Sequence, residues 1–230
     1  KHDLQNSYNR FTTSKIHKAD DLYQISTLGF RGEALASISS ISEMQITTKH
    51  KDSSKSHMLH IKGGVEISIK PSPINNGTKI KIDNLFYNVP ARKKFLKKEH
   101  IEYRYILELF KKFALSYPQI SFKIYNNEKL IKNYKSASLK ERIIDIFGDQ
   151  IKKNLLKLDY KKDNYIINGY IGSLNLVKKR RGNQYYFVNN RYINNSLINL
   201  SAYNCYRNLL ERGEYPFYVI NIEYPQDEID

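Results

Sequence analysis

Short stretches of alternating apolar and polar residues mark the first half of the chain as strand-forming. Ile67/Ile69 and Ile80/Ile82 alternate with polar neighbours, the period of a strand with one buried face. Strands are predicted over residues 44–50, 58–61, 65–69 and 78–82, with polar turns at 51–56 and 71–77. The period then changes. Ile106, Leu109, Phe110, Phe113 and Ala114 recur at helical spacing, so residues 100–117 read as a helix with one apolar stripe, stopped by Pro118. A shorter helix over 33–41 carries small residues at Ala34, Ala36, Ser37 and Ser40, suited to close packing. Strands at 120–125 and 130–134 are expected to close a first domain, one mixed sheet with helices on one face. Residues 136–138, Ser-Ala-Ser, read as a linker. Beyond it come a helix at 139–147, strands at 155–160, 165–171 and 184–188, a helix at 196–210 and a last strand at 216–223. The expected fold class is α/β (α+β), in two domains, 1–135 and 136–230.

Composition adds bounds. The 230 residues, 40% of them hydrophobic, suffice for one large core or two small ones. No run is long and apolar enough to cross a bilayer and no charged-then-apolar leader opens the chain, so a soluble protein is expected. Cys205 is the single cysteine, which excludes an internal disulfide framework and suits a reducing compartment. His57 and His60 lie three apart without cysteines or a helix motif around them and read as surface residues of a strand. Net charge is +15, with 24 basic against 12 acidic residues in 1–135 and 14 against 11 in the remainder. Such an excess attracts polyanions, nucleic acid foremost. A chain this rich in Lys, Asn, Ile and Tyr would carry the same excess through biased base composition alone.

One stretch points to phosphate chemistry. Gly29 and Gly32 flank Arg31 and lead into the helix predicted from Glu33. Glycines permit positive φ and close approach, and a helix start presents free N–H groups to an anion. The same spacing also suits an ordinary loop. Thr13, Ser14 and Lys15 can donate to phosphate oxygens or cap a helix beginning near residues 18–21. Lys93, Lys94, Lys97 and Lys98 form one basic run, Lys178, Lys179, Arg180 and Arg181 another; each is a solvated surface or a polyanion-binding face.

The string Gly29-Phe30-Arg31-Gly32-Glu33-Ala34-Leu35, followed by Ala36-Ser37-Ile38, resembles the ATP-lid motif of the MutL mismatch-repair family, a branch of the GHKL ATPases. A second block, Gly77-Thr78 through Leu85-Phe86-Tyr87-Asn88-Val89-Pro90-Ala91-Arg92-Lys93-Lys94-Phe95-Leu96, resembles the same family in order and distance. The resemblance implies a partial GHKL (Bergerat) ATPase sandwich, then a ribosomal-protein-S5-domain-2-like βαβ domain. It implies that Gly29 to Leu35 contact ATP and that Thr13, Ser14 and Lys15, which match the family lid where Phe11 and Thr12 depart, close over it. Thr78 would hold the adenine end. Tyr185-Tyr186-Phe187-Val188-Asn189-Asn190-Arg191 resembles the second domain's characteristic strand, with Asn190 for the family glycine and Asn194 for a second arginine. Arg191 matches an arginine associated with DNA backbone contact, and Lys178 to Arg181 are candidate partners in that contact.

The family's base-bearing Glu, its Mg²⁺-holding Asn, its Asp-x-Gly-x-Gly loop and its γ-phosphate lysine have no match in this string. The chain is therefore expected to be an internal fragment with no catalytic residue, inactive alone, whose parent uses ATP and Mg²⁺. The implied function is DNA mismatch repair by an ATP-dependent clamp that dimerises on ATP binding, binds DNA and couples mismatch recognition to strand nicking. The implied partners are double- and single-stranded DNA without sequence preference, a mismatch-recognition protein and a second copy, in a bacterial, nucleoid-associated cytoplasmic setting. A DNA-binding scaffold without nucleotide dependence and a gyrase-like ATPase are the rival readings.

Overall fold

A computed structural model describes residues 1–16, 18, 21, 27 and 29–225. Its contacts separate two compact units, Lys1–Lys98 and Glu99–Asp230. The helix expected near residues 18–21 lies largely outside the described residues.

The first unit is built on β1 (Glu43–Lys49), β2 (His57–Lys62), β3 (Val65–Pro71) and β4 (Gly77–Asp83), in the order β3-β2-β1-β4. Every pairing is antiparallel, where a mixed sheet was expected. The connections between successive strands are too short for the crossover a parallel pair needs. Helices α1 (His2–Asn6) and α2 (Ala34–Ser40) belong to this unit, as does α3 (Pro90–Lys94) after the sheet. Register puts Met44 opposite Ile61 and Ile46 opposite Leu59, so four apolar side chains share one face. Leu4, Tyr8, Leu35 and Ile38 cover them. The alternation at 67–69 and 80–82 correctly marks strands, but of its four isoleucines Ile69 is the one packed against the core. Ile67 is 54% exposed, and Ile80 and Ile82 are each 44% exposed. Ile80 and Ile82 face the same way as Ile46 and Met44, their cross-strand partners. They sit on an edge strand, however, and α2 packs on the central pair β1 and β2.

The second unit opens with α4 (Glu99–Ser116) and the hairpin β5 (Phe122–Asn126)–β6 (Lys129–Tyr134). Asn127 and Glu128 turn that hairpin at φ 46° and 65°, the left-handed pair a two-residue loop requires. Next come α5 (Leu139–Phe147), β7 (Leu155–Lys162), β8 (Tyr165–Gly172), β9 (Gln184–Val188), β10 (Arg191–Ile193), α6 (Ser196–Tyr206) and β11 (Tyr218–Glu223). The sheet order is β10-β9-β11-β8-β7, with β9 and β11 parallel and α6 in the chain between them, a βαβ unit. Alternate residues of these strands feed two cores. Tyr185, Phe187, Phe217 and Val219 pack with Leu115 and Ile143, while Tyr186, Tyr218 and Ile220 pack against Ile198 and Ala202. Helix and sheet are thus combined as the sequence leads one to expect.

Three local expectations are corrected here. The helical stripe is buried only at its end: Ala114 and Leu115 are covered, whereas Ile106 and Leu109 are more than half exposed. Strand β10 is an addition, formed because Asn189 and Asn190 (φ 47° and 63°) reverse the chain into a hairpin. Residues 136–138 are no free linker. Ser138 closes a capping box with Glu141, Ala137 N–H donates to Pro118 O, and Ser136 N–H donates to the Ser121 hydroxyl. Arg142 completes this knot. Fully buried, it donates to the carbonyls of Ala114 (2.7 Å), Pro118 (2.8 Å), Ile120 (3.0 Å) and Lys135 (2.6 Å). These bonds tie the end of α4 and both flanks of the hairpin to α5. That accounts for contacts dividing after Lys98, where the sequence reading divides the chain after residue 135.

Candidate functional site

In the first unit the glycine loop is defined by Gly32. It sits at φ +64°, and a Cβ there would lie 2.7 Å from the Thr12 carbonyl carbon and closer still to its oxygen. Only glycine lets the two backbones meet so closely. The contact joins residues 10–15 to residues 29–35, which are separate in sequence. Gly29 is different: it has no left-handed φ, and nothing lies within 4 Å of a Cβ built on it. Close approach is therefore a property of Gly32 alone.

Around that contact, Thr13 accepts a bond from Lys15 N–H at 3.1 Å, which makes it the cap of a tight turn. Ser14 and Lys15 are exposed. Arg31 is also exposed, its guanidinium 5.4 Å from the Phe30 ring centre. Helix α2 starts at Ala34, one residue later than expected, and no side chain caps it at Glu33. The first-turn N–H groups, including those of Ala34 and Leu35, have no partner inside the helix. Leu35 itself points into the core with Ile38. Glycine loop, exposed Arg31 and Lys15, and an uncapped helix start together fit a phosphate group.

The other end of α2 shows what sequence reasoning missed. Asn88 Nδ2 donates to Ser40 O at 2.8 Å, and Phe86 N–H donates to Ile41 O at 2.7 Å. The second motif block thereby holds the helix that follows the first. Asn84 and Phe86 reach this position through positive φ values of 52° and 62°. The available signal was the asparagine-bracketed turn ahead of Pro90. Thr78 sits opposite Thr48 across β1 and β4, their hydroxyls 2.9 Å apart, and its bond is to that strand and not to the glycine loop. Among the described residues no group of three His, Cys, Asp or Glu could hold a metal ion. His60 is half-buried against Glu43 at 3.0 Å.

In the second unit Lys178 forms an isolated antiparallel bridge with Tyr215, and Lys179, Arg180 and Arg181 follow it, exposed. Arg191 opens β10 opposite Val188. The run and Arg191 therefore stand beyond opposite ends of β9, a strand about 14 Å long. Lys93, Lys94, Lys97 and Lys98 are exposed on the first unit. Between the second unit's elements, Tyr185 Oη donates to Glu108 Oε1 at 2.9 Å, while Lys111 Nζ donates to Glu108 Oε2 at 2.8 Å. Burial, reinforced by the Glu108 charge, raises the Tyr185 phenol far above its ordinary range. Burial likewise raises Tyr218, and pushes Tyr186 up to about 12. All three are neutral at physiological pH.

Comparison with known proteins agrees with this architecture. A family model described as "DNA mismatch repair protein, C-terminal domain" matches residues 143–230. The DNA mismatch repair protein MutL of Parabacteroides distasonis is 36% identical over 228 residues, covering 99% of this chain and 37% of that protein. The chain thus spans little more than a third of that relative's length. Among solved structures, the Aquifex aeolicus MutL ATPase domain complexed with ADP superposes with a TM-score of 0.67 at 28% identity, over 91% of this chain and 76% of that one. The N-terminal domain of a DNA repair protein, 23% identical, shares the fold with a TM-score of 0.78 over 98% of this chain and 71% of its own.

Proposed function

The chain belongs to the MutL family of DNA mismatch repair proteins, and on that premise we propose that it supplies one wall of an ATP site and a DNA-backbone surface to a longer repair protein. Residues 1–135 would form part of the ATPase domain and residues 136–230 the S5-like DNA-binding domain. The observation that carries the nucleotide reading is the seat of Gly32 on the Thr12 backbone, which brings both lid segments to one uncapped helix start. Arg31, Lys15 and the N–H groups of Ala34 and Leu35 would hold phosphates, with Thr13, Ser14, Gly29, Phe30 and Glu33 shaping the loop and Thr78 toward the adenine. ATP with Mg²⁺, when bound, would supply a compact anion for this loop to surround. In the longer protein, ordering of this loop would favour pairing of two copies around DNA, and its release would reopen them. A mismatch-recognition protein and strand-nicking machinery are the proposed partners. Lys178, Lys179, Arg180, Arg181 and Arg191 would contact phosphates without reading bases.

The test uses a protein extended at both ends. Adding a non-hydrolysable ATP analogue should slow tryptic cleavage after Lys15 and Arg31 at least several-fold. If cleavage is indifferent to nucleotide while DNA binding persists, the chain is a DNA-binding scaffold, the reading its charge of +15 alone would favour.

A further inference from the structure

The sheet of the second unit leaves a cleft of about 870 Å³ at the start of β9, and no step of the reading above uses it. It exists because β10 is short. Arg191, Tyr192 and Ile193 pair with Val188, Phe187 and Tyr186, so Gln184 and Tyr185 have no β10 partner. The chain then leaves the sheet toward α6, and the space it vacates is lined by Arg181, Tyr192, Asn194, Tyr203 and Tyr215. Tyr203 and Tyr215 stand with ring centres 6.4 Å apart at 47°, and the Arg181 guanidinium lies 5.1 Å from the Tyr215 ring centre. The backbone bridge between Lys178 and Tyr215 fixes the basic run to this wall.

Charge decides what such a cleft can hold. Its acidic residue, Glu108, already accepts bonds from Tyr185 and Lys111, and Lys111 neutralises it. The cationic residue of the lining is Arg181, with Lys112 over the Tyr192 ring at 3.8 Å and the exposed Lys179 and Arg180 next in the chain, while Glu214 lies between the lining residues Gly213 and Tyr215. A cationic ligand is disfavoured; an anion carrying a flat ring is favoured, because tyrosine faces stack on it while arginine pairs with its charge. The volume lies within the range of small-ligand sites and accommodates a nucleotide. Bases inside a duplex are stacked on one another and cannot enter.

We propose that this tyrosine cleft seats an unpaired base of single-stranded DNA, with Tyr203 and Tyr215 as the stacking platform and Arg181 on the adjoining phosphate. The proposal rests on the DNA reading above and adds to it: backbone contact at Arg191 serves either strand form, whereas the cleft serves unpaired DNA alone.

The probes are a single-stranded oligodeoxynucleotide bearing 2-aminopurine and the duplex of the same sequence, bound to the 230-residue chain. The wild type should quench 2-aminopurine fluorescence in the single strand. Tyr203→Leu and Tyr215→Leu should each lose that quenching and weaken single-strand binding about tenfold, with duplex affinity unchanged. Tyr203→Phe and Tyr215→Phe, which keep a ring, should retain both. Two positions are used so that a leucine variant shown by circular dichroism to misfold does not remove the test. Equal losses for single strand and duplex in folded variants overturn the cleft, as does quenching that survives both leucine substitutions. Displacement of a proline-rich peptide but not of the oligonucleotide by these substitutions overturns it in favour of a peptide groove. If the wild type binds neither DNA form, the backbone reading falls as well. If Arg191→Glu binds duplex like the wild type while the leucine variants lose only single-strand binding, the backbone assignment fails and the cleft stands.

Discussion

Replacing Gly32 with alanine tests the contact on which the nucleotide reading depends. The residue is held at φ +64°, and for an alanine that left-handed conformation costs about 1–2 kcal/mol. The new methyl group would also sit 2.7 Å from the Thr12 carbonyl carbon and 2.9 Å from its nitrogen. Both are backbone atoms, so no side chain can swing aside. Residues 10–15 must move away or the loop must abandon its conformation. Either route raises the total to at least about 2 kcal/mol, or about 30-fold in the local equilibrium. Gly29→Ala is the internal control, since its φ is ordinary and its surroundings are open; its effect should stay within about twofold. In the 230-residue chain, early tryptic cleavage after Arg10 and Lys15 should accelerate for Gly32→Ala and not for Gly29→Ala. In a longer nucleotide-binding protein, ATP affinity should fall about 30-fold for the first substitution only. Equal behaviour of the two alanine variants in both assays would refute the reasoning.

Arg142→Met should destabilise the second unit by about 3 kcal/mol, because four carbonyls lose their donor while relief of a buried charge returns part of the loss. Urea unfolding followed by tyrosine fluorescence measures it, and a change under about 1 kcal/mol would contradict the role assigned to the guanidinium. The buried phenols set an alkaline limit. Raised folded pKa values at Tyr185, Tyr186 and Tyr218 mean that the unfolded chain loses these protons first, from about pH 10 upward. Their stabilisation is therefore intact below pH 10 and declines above it, by at most about 1.4 kcal/mol per pH unit for each phenol. For Tyr186 the decline ends near pH 12, and Tyr186→Phe should flatten the profile between pH 10 and 12 when urea midpoints are compared. Finally, the 230-residue chain alone should release no phosphate from ATP above background; steady release abolished by Arg31→Ala would show that it contains a working site.

Much of the fold was legible because local periodicity reports local geometry. The strands over 44–50 and 58–61 and the helix over 139–147 lie within one or two residues of β1, β2 and α5. The glycine string was legible as backbone freedom, since residue type alone lets Gly32 take a left-handed φ. Ser138 and Glu141 were less well used: their spacing is that of a capping box, yet a run of small polar residues resembles a linker when its partners at Pro118 and Ser121 are out of sight.

What the sequence determined by itself is most of the longer strands and helices, the left-handed conformation open to Gly32, and the excess of positive charge. Each follows from a residue's own sterics or ionisation. Burial could not follow in that way, because it depends on which strand is central. Ile80 has the same alternating pattern as Ile46, but only Ile46 lies under α2's part of the core. Nor could the choice between Gly29 and Gly32, which rests on the presence of the Thr12 backbone beside one and not the other. The tyrosine cleft depends most on tertiary structure. Arg181, Tyr192, Tyr203 and Tyr215 come from the turn before β9, from β10, from α6 and from the turn before β11. No spacing connects them. They meet because a short β10 leaves one strand edge open and a backbone bridge at Lys178 draws the basic turn against Tyr215.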